Sequence, residues 1–287
     1  MPACFFASDL HGRTERYQKL FSAIEAERPA AVFLGGDLLP SGLGLADTLD
    51  PDHLDFINGF LAPGFERVKA SLAAHYPDVF AILGNDDPRF EEAAMLDVAT
   101  RGLWRYAHDQ RIEWRGYTVF GYACISPTPF RLKDWERYDV SRYVDPGCLS
   151  PEEGSRTVPI AESEIRYGTI RQDLEALAGD RSLKRAIMLF HSPPYNSALD
   201  RAALDGLSID FVPLDVHVGS IAIQRFIQQR QPRITLHGHV HESARITGEW
   251  ATQIGDTYAF SAAHDGPELA LVRFDPEEPG AATRELR

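Results

Sequence analysis

The run Arg233-Ile234-Thr235-Leu236-His237-Gly238-His239-Val240-His241 decides how this chain is read. Pro232 stops whatever precedes it, residues 233–236 form a short apolar strand, and three imidazoles follow at once. In an extended segment, residues two apart share a face, so His239 and His241 can both turn toward one cation. Gly238 between strand and ligands permits a sharp turn and a close approach. Two histidines at this spacing after a strand have few purely structural uses.

The same arrangement recurs at four other strand ends. Residues 3–7 are a short apolar run ending in Ser8-Asp9-Leu10-His11-Gly12-Arg13. Residues 30–34 end in Gly35-Gly36-Asp37, and residues 79–83 in Gly84-Asn85-Asp86-Asp87-Pro88. Residues 185–190 end in His191-Ser192-Pro193-Pro194. Each short pattern is common alone. Open α/β sheets bind ligands at the carboxyl ends of their strands, so five such ends in order point to one crevice.

Between these strands the spacing is helical. Tyr17, Leu20, Phe21 and Ile24 fall at i, i+3, i+4 and i+7, and Pro29 ends that helix. Further helices are expected at 52–60, 65–75, 162–177 and 220–230. Residues 112–114 and 117–122, joined by Arg115-Gly116, read as a hairpin. The tail, 250–274, reads as three short strands. Residues 126–160 hold five prolines among charges and aromatics, and read as an irregular insertion forming a lid or pocket wall. If it is a lid or wall, Phe130, Trp135, Tyr138 and Tyr143 face the crevice; the equal alternative is that they form a small satellite core beneath a long loop. Strands alternating with helices predict an α/β fold with parallel pairs.

Composition narrows the function classes. The 287 residues are 44% hydrophobic and 25% charged, ordinary for a globular protein. No apolar run exceeds five residues, far short of a membrane span, and no signal peptide is expected at the start. Three cysteines with no CxxC spacing suggest a reducing, cytoplasmic setting. A net charge of −13 argues against stable nucleic-acid or membrane binding, since that affinity comes from neutralised phosphates. It leaves open a phosphorylated substrate held by bound cations.

The five strand ends resemble the ordered motifs of the calcineurin-like metallophosphoesterases: D-x-H, G-D, G-N-H-[DE], a lone His and G-H-x-H. Here they are Asp9-Leu10-His11, Gly36-Asp37, Gly84-Asn85-Asp86-Asp87, His191 and Gly238-His239-Val240-His241, spanning residues 9–241. The resemblance implies a four-layer α/β/β/α sandwich of two mixed sheets, built as a single domain over residues 1–287. It implies two divalent metal ions. Asp9, His11 and His241 would hold one, Asn85, His191 and His239 the other, and Asp37 would bridge both. His237 precedes the motif and reads as structural. Carboxylate, amide and imidazole donors suit Mn, Fe or Zn. The implied reaction is phosphoester hydrolysis by a hydroxide bridging the metals, with no protein nucleophile.

One position departs from the pattern. Asp86 stands where the family has the histidine that protonates the leaving group. A carboxyl beside two dications stays ionised, so Asp86 makes a poor general acid. That favours a phosphodiester substrate, small or nucleotide-like. His217, just before a helix, is a candidate replacement donor or equally a plain loop histidine, and Arg13 and Arg89 beside the motifs are candidate phosphate ligands, with a salt bridge to Asp87 or a neighbour as their plainer role. The alternatives are a phosphomonoesterase, a protein phosphatase, or a scaffold that has lost catalysis.

Overall fold

The computed structural model describes residues 3–40 and 55–287. Five apolar runs become buried strands: β1 (Cys4–Ala7), β2 (Ala31–Gly35), β3 (Asp78–Ile82), β7 (Ala186–Phe190) and β10 (Ile234–His237). Short two-residue β4 (Arg105–Tyr106) pairs parallel to β3. The expected hairpin forms as β5 (Gln110–Trp114) and β6 (Tyr117–Tyr122), turning at Arg115 and Gly116, both at positive φ. The tail gives β11 (Ala251–Ile254), β12 (Thr257–Ser261) and β13 (Ala270–Phe274), followed by β14 (Thr283–Leu286).

These strands make two six-stranded mixed sheets, in the orders β14-β13-β1-β2-β3-β4 and β11-β12-β10-β7-β6-β5. β1, β2 and β3 run parallel in the first, and β6, β7 and β10 in the second. Apolar faces of the two sheets meet in an aromatic seam. Phe33 stacks on Phe80 at 5.1 Å, meets Trp114 edge-on, and touches Phe274, which in turn reaches Phe260 of the opposite sheet.

Helices cover the sandwich, completing the expected layers. α1 (Thr14–Glu27) joins β1 to β2 and packs on α2 (Ala62–Leu72). The two come close because Gly64 leaves room for the Phe21 ring. The helix expected at 52–60 lies partly outside the described residues; Ile57–Leu61 is a π-helical turn that runs into α2. α3 (Glu92–Thr100) follows the third ligand loop and was not legible in the spacing.

The helix expected at 162–177 is two helices, α4 (Glu162–Tyr167) and α5 (Ile170–Ala178). Gly168 leaves the helical region, and the Thr169 side chain accepts the Gln172 N–H as a new N-cap. α6 (Ile221–Arg230), which packs on α5, is capped by Ser220 and starts against the Asp139 carboxylate. α7 (Ser243–Thr247) and the small hairpin of β8 (Ser208–Ile209) with β9 (Val212–Pro213) complete the chain.

The insertion at 126–160 has no helix or strand of its own, yet it is anchored throughout. Isolated bridges tie Ile125 to Glu136, Leu132 to Ser155 and Tyr138 to Thr169. Lys133 and Glu136 form a fully buried ion pair, with the ammonium also donating to the Thr128 carbonyl. The aromatics divide, and the satellite core holds for two of them. Trp135 and Tyr138 are buried inside the protein, and Phe130 (59% exposed) and Tyr143 (68%) face outward.

Candidate metal centre

Every strand end that carries a candidate ligand lies at the carboxyl edge of a parallel strand. β1 delivers Asp9 and His11, β2 Asp37, β3 Asn85, β7 His191, and β10 His239 and His241. Asp9, His11, Asp37 and His241 bring one ligand atom each within 4.8 Å of the others, and so do Asp37, His191 and His239. Asp37 belongs to both groups. Its Oδ2 is 3.3 Å from His191 Nε2 and 3.9 Å from His11 Nε2. Asn85 joins the second group through Oδ1, 3.0 Å from His191 Nε2.

Four of these seven residues hold a backbone that side chains rarely adopt: Asp9, His11, Asp37 and His239 all have positive φ. Each costs about 1–3 kcal/mol and persists only where its surroundings enforce it. The enforcement is visible. Asp9 N–H donates to the Gly36 carbonyl, and His11 N–H to the Asp37 carbonyl. Asp9 Oδ1 receives the His239 N–H at 2.9 Å, and Ser8 donates to its other oxygen. A Cβ on Gly238 would sit 2.6 Å from Asp9 Oδ2, which is why glycine stands there.

Charges in the cluster are arranged to receive cations. Burial pushes the Asp9 carboxyl up, but the His241 hydrogen bond and nearby imidazoles outweigh it, leaving Asp9 well below the usual range. Asp37 shows the same contest, won by His191. Burial lowers His191, yet Asp37 raises it to about 10. His239 goes the other way, to about 3, through burial and the neighbouring His191 charge. Buried carboxylates that draw protons onto adjacent imidazoles present a field that suits cations. The oxygen and nitrogen donors, with no thiolate, fit divalent ions of the Mn, Fe and Zn type.

Other expected residues fall outside the cluster. Arg13 is exposed at the start of α1. Arg89 lies 4.9 Å over the Trp135 ring, with Nε 3.4 Å from Glu92. Neither arginine pairs with Asp87, whose carboxylate is taken up by backbone N–H groups, while Arg89 has the expected salt bridge to a neighbour in Glu92. His217 places Nδ1 2.8 Å from the buried Asp200 Oδ1 and packs edge-on against Tyr195. Its partners are not cluster residues. Its loop does pack on the segment leaving His191, through Ser220 N–H to Pro193 and Tyr195 N–H to Ser220. His237 is structural as expected, bound to the Ser192 carbonyl and to Thr235.

The sequence reading passed over two supports. Asp87 accepts the N–H groups of Leu38, Leu39 and Gly84, tying the loop after β2 to the loop after β3. Its signal was the last position of the G-N-x-[DE] motif. Arg16 is buried under the first loop and donates to the Asp9 carbonyl.

This fold and this ligand set define a class of phosphoester hydrolases built around metal ligands at the carboxyl edges of paired sheets. The family model for calcineurin-like phosphoesterases matches residues 4–243, and the chain belongs to that family. Among solved structures, it superposes on TT1561 of Thermus thermophilus with a TM-score of 0.56 at 16% identity, covering 99% of this chain and 98% of that one. A dimetal phosphatase from Danio rerio gives 0.50 at 14% identity over 94% of each chain. At such identities these likenesses concern the fold. No curated protein matches the sequence at a significant level.

Proposed function

We propose that the chain hydrolyses phosphodiesters with two divalent ions, Asp9, His11 and His241 holding one and Asn85, His191 and His239 the other. The shared carboxylate carries this reading: one oxygen of Asp37 is within reach of both groups. When bound, two such ions neutralise phosphoryl charge and make water nucleophilic at neutral pH. Three unpaired cysteines are in keeping with a cytoplasmic location.

The chain's own residues bind and orient. Asp9 and Asp37 bring two negative charges, so a site holding two dications stays cationic within a chain of net charge −13. That attracts a phosphoryl group. Asn85 presents Oδ1 toward His191, leaving its amide N–H groups to donate to a substrate oxygen. Arg13 is the exposed cation assigned to a substrate phosphate. Arg89, engaged by Glu92 and Trp135, would meet only a substrate reaching toward the insertion.

The preference for diesters follows from the proton. A monoester passes through a loose transition state that leaves heavy charge on the departing oxygen. Such a substrate gains most from a general acid. Asp86 turns its carboxylate toward His11 Nδ1, 3.3 Å away, and is assigned no donor role. A diester places less charge on its leaving oxygen and needs the acid less. For alkyl leaving groups the assigned donor is His217, whose Nδ1 is held by Asp200, leaving Nε2 to protonate the oxygen.

The test compares bis(p-nitrophenyl) phosphate with p-nitrophenyl phosphate in Mn²⁺. A higher kcat/KM for the diester is expected. A higher value for the monoester would overturn the diester preference.

A further inference from the structure

The two ring nitrogens of His11 face different partners. Nε2 turns into the ligand cluster, 3.2 Å from His241 Nε2 and 3.9 Å from Asp37 Oδ2. Nδ1 turns away from it, 3.3 Å from Asp86 Oδ2. His191 is divided in the same sense. Its Nε2 faces Asn85 and Asp37, while Nδ1 lies 2.8 Å from the Gly35 carbonyl.

An imidazole that binds a metal must present a lone pair there, so its proton sits on the other nitrogen and needs an acceptor. For His191 the acceptor is a backbone carbonyl. For His11 it is a side chain, and that side chain occupies the position where the family motif has histidine. Residue 86 acts in a second direction too. Its N–H donates to Asp37 Oδ1 at 2.8 Å, leaving Asp37 Oδ2 to face His191 and His11.

We propose that Asp86 is a positioning residue for both halves of the centre, not a substrate-facing acid. Its carboxylate fixes the tautomer and orientation of His11, and its backbone N–H aims Asp37. The proposal rests on the two-metal reading above. It gives a side-chain acceptor at this position a use other than proton donation: by holding the Nδ1 proton it makes His11 a stronger ligand. The position has changed the group it serves, from leaving oxygen to metal ligand.

Calorimetric titration of the metal-free protein with Mn²⁺, together with ¹⁵N spectra of the histidine side chains, tests this on wild type, Asp86→Ala and Asp86→Asn. None of these changes removes the backbone N–H, and the side chain is partly exposed, so the fold should survive. Asp86→Ala is expected to weaken one of two sites by about 10–100-fold, leaving the other near wild type. In the same variant the His11 signals should shift from the Nδ1-protonated pattern toward mixed tautomers. Asp86→Asn retains an acceptor oxygen and should restore that pattern and much of the affinity. Two wild-type ions with unchanged affinities and unchanged His11 signals in Asp86→Ala would overturn the positioning role alone. Fewer than two ions in the wild type would overturn the two-metal reading, and this role with it.

Discussion

The Asp87 carboxylate accepts the Leu39 N–H at 2.7 Å, reaching from the loop after β3 to the loop after β2. The same carboxylate takes the Leu38 and Gly84 N–H groups, so one buried side chain fixes the spacing between Asp37 and Asn85. The centre is thus assembled by residues that would never touch a metal.

Asp87→Ala leaves these backbone donors buried without an acceptor. Each such group costs about 1–3 kcal/mol, so urea unfolding should show a loss of about 3 kcal/mol or more. Asp87→Asn keeps an acceptor oxygen and should lose less. Equal stability of Asp87→Ala and wild type would refute the strut role.

A second expectation concerns acid. His108 is enclosed by Trp135, Tyr106 and Tyr122, and accepts the Ala123 N–H through Nδ1. Burial first, then the charges of Arg89 and Arg137, lower it from 6.5 to about 3. Between those values the unfolded chain binds a proton that the folded chain refuses. Stability is therefore full above pH 6.5 and falls as pH drops toward 3, by up to about 1.4 kcal/mol per pH unit. His108→Gln should be less stable at pH 7.5 but have a flatter slope between pH 4 and 6. Parallel slopes for the two proteins would exclude His108 as a source of acid sensitivity.

How much was legible in advance depended on whether neighbours along the chain decide the outcome. The five ligand loops could be read because a strand and its terminal ligands are contiguous, and so was the hairpin at Arg115-Gly116. α3 was not, because its apolar residues are spread around the helix and only Met95 and Val98 are buried, where the Trp104 indole donates to the Met95 carbonyl. Nor was the break at Gly168, where Thr169 as a cap outweighed a helical apolar spacing. The partners of His217 and Arg89 are likewise tertiary: Asp200 lies 17 residues away, and Trp135 46. Nothing in local spacing announces them.

The insertion offers a contrast between its aromatics. Trp135 is fully buried, and its indole donates to the Asp87 carbonyl. Trp135→Ala should cost about 3–5 kcal/mol and, through Asp87, disturb metal uptake. Phe130→Ala and Tyr143→Ala, at exposed sites, should shift stability by under about 0.5 kcal/mol. Thermal melts of the three variants decide it, and similar losses at all three would contradict the placement of these side chains.

The donor role of His217 predicts a split between substrates. An activated aryl oxide hardly needs a proton, whereas an alkoxide does, and positioned acid catalysis contributes about 10²–10⁴ in rate. His217→Gln should slow an alkyl phosphodiester far more than an aryl one, with metal content unchanged. An equal effect on both substrates would remove His217 from proton transfer.

The two-metal centre is tested most directly by counting ions. After loading with Mn²⁺ and removal of excess, elemental analysis should find two ions per wild-type chain. His11→Ala should retain one, while Asp37→Ala, lacking the carboxylate that faces both groups, should hold neither firmly. One ion or none in the wild type, or two in Asp37→Ala, would contradict a centre built on Asp37.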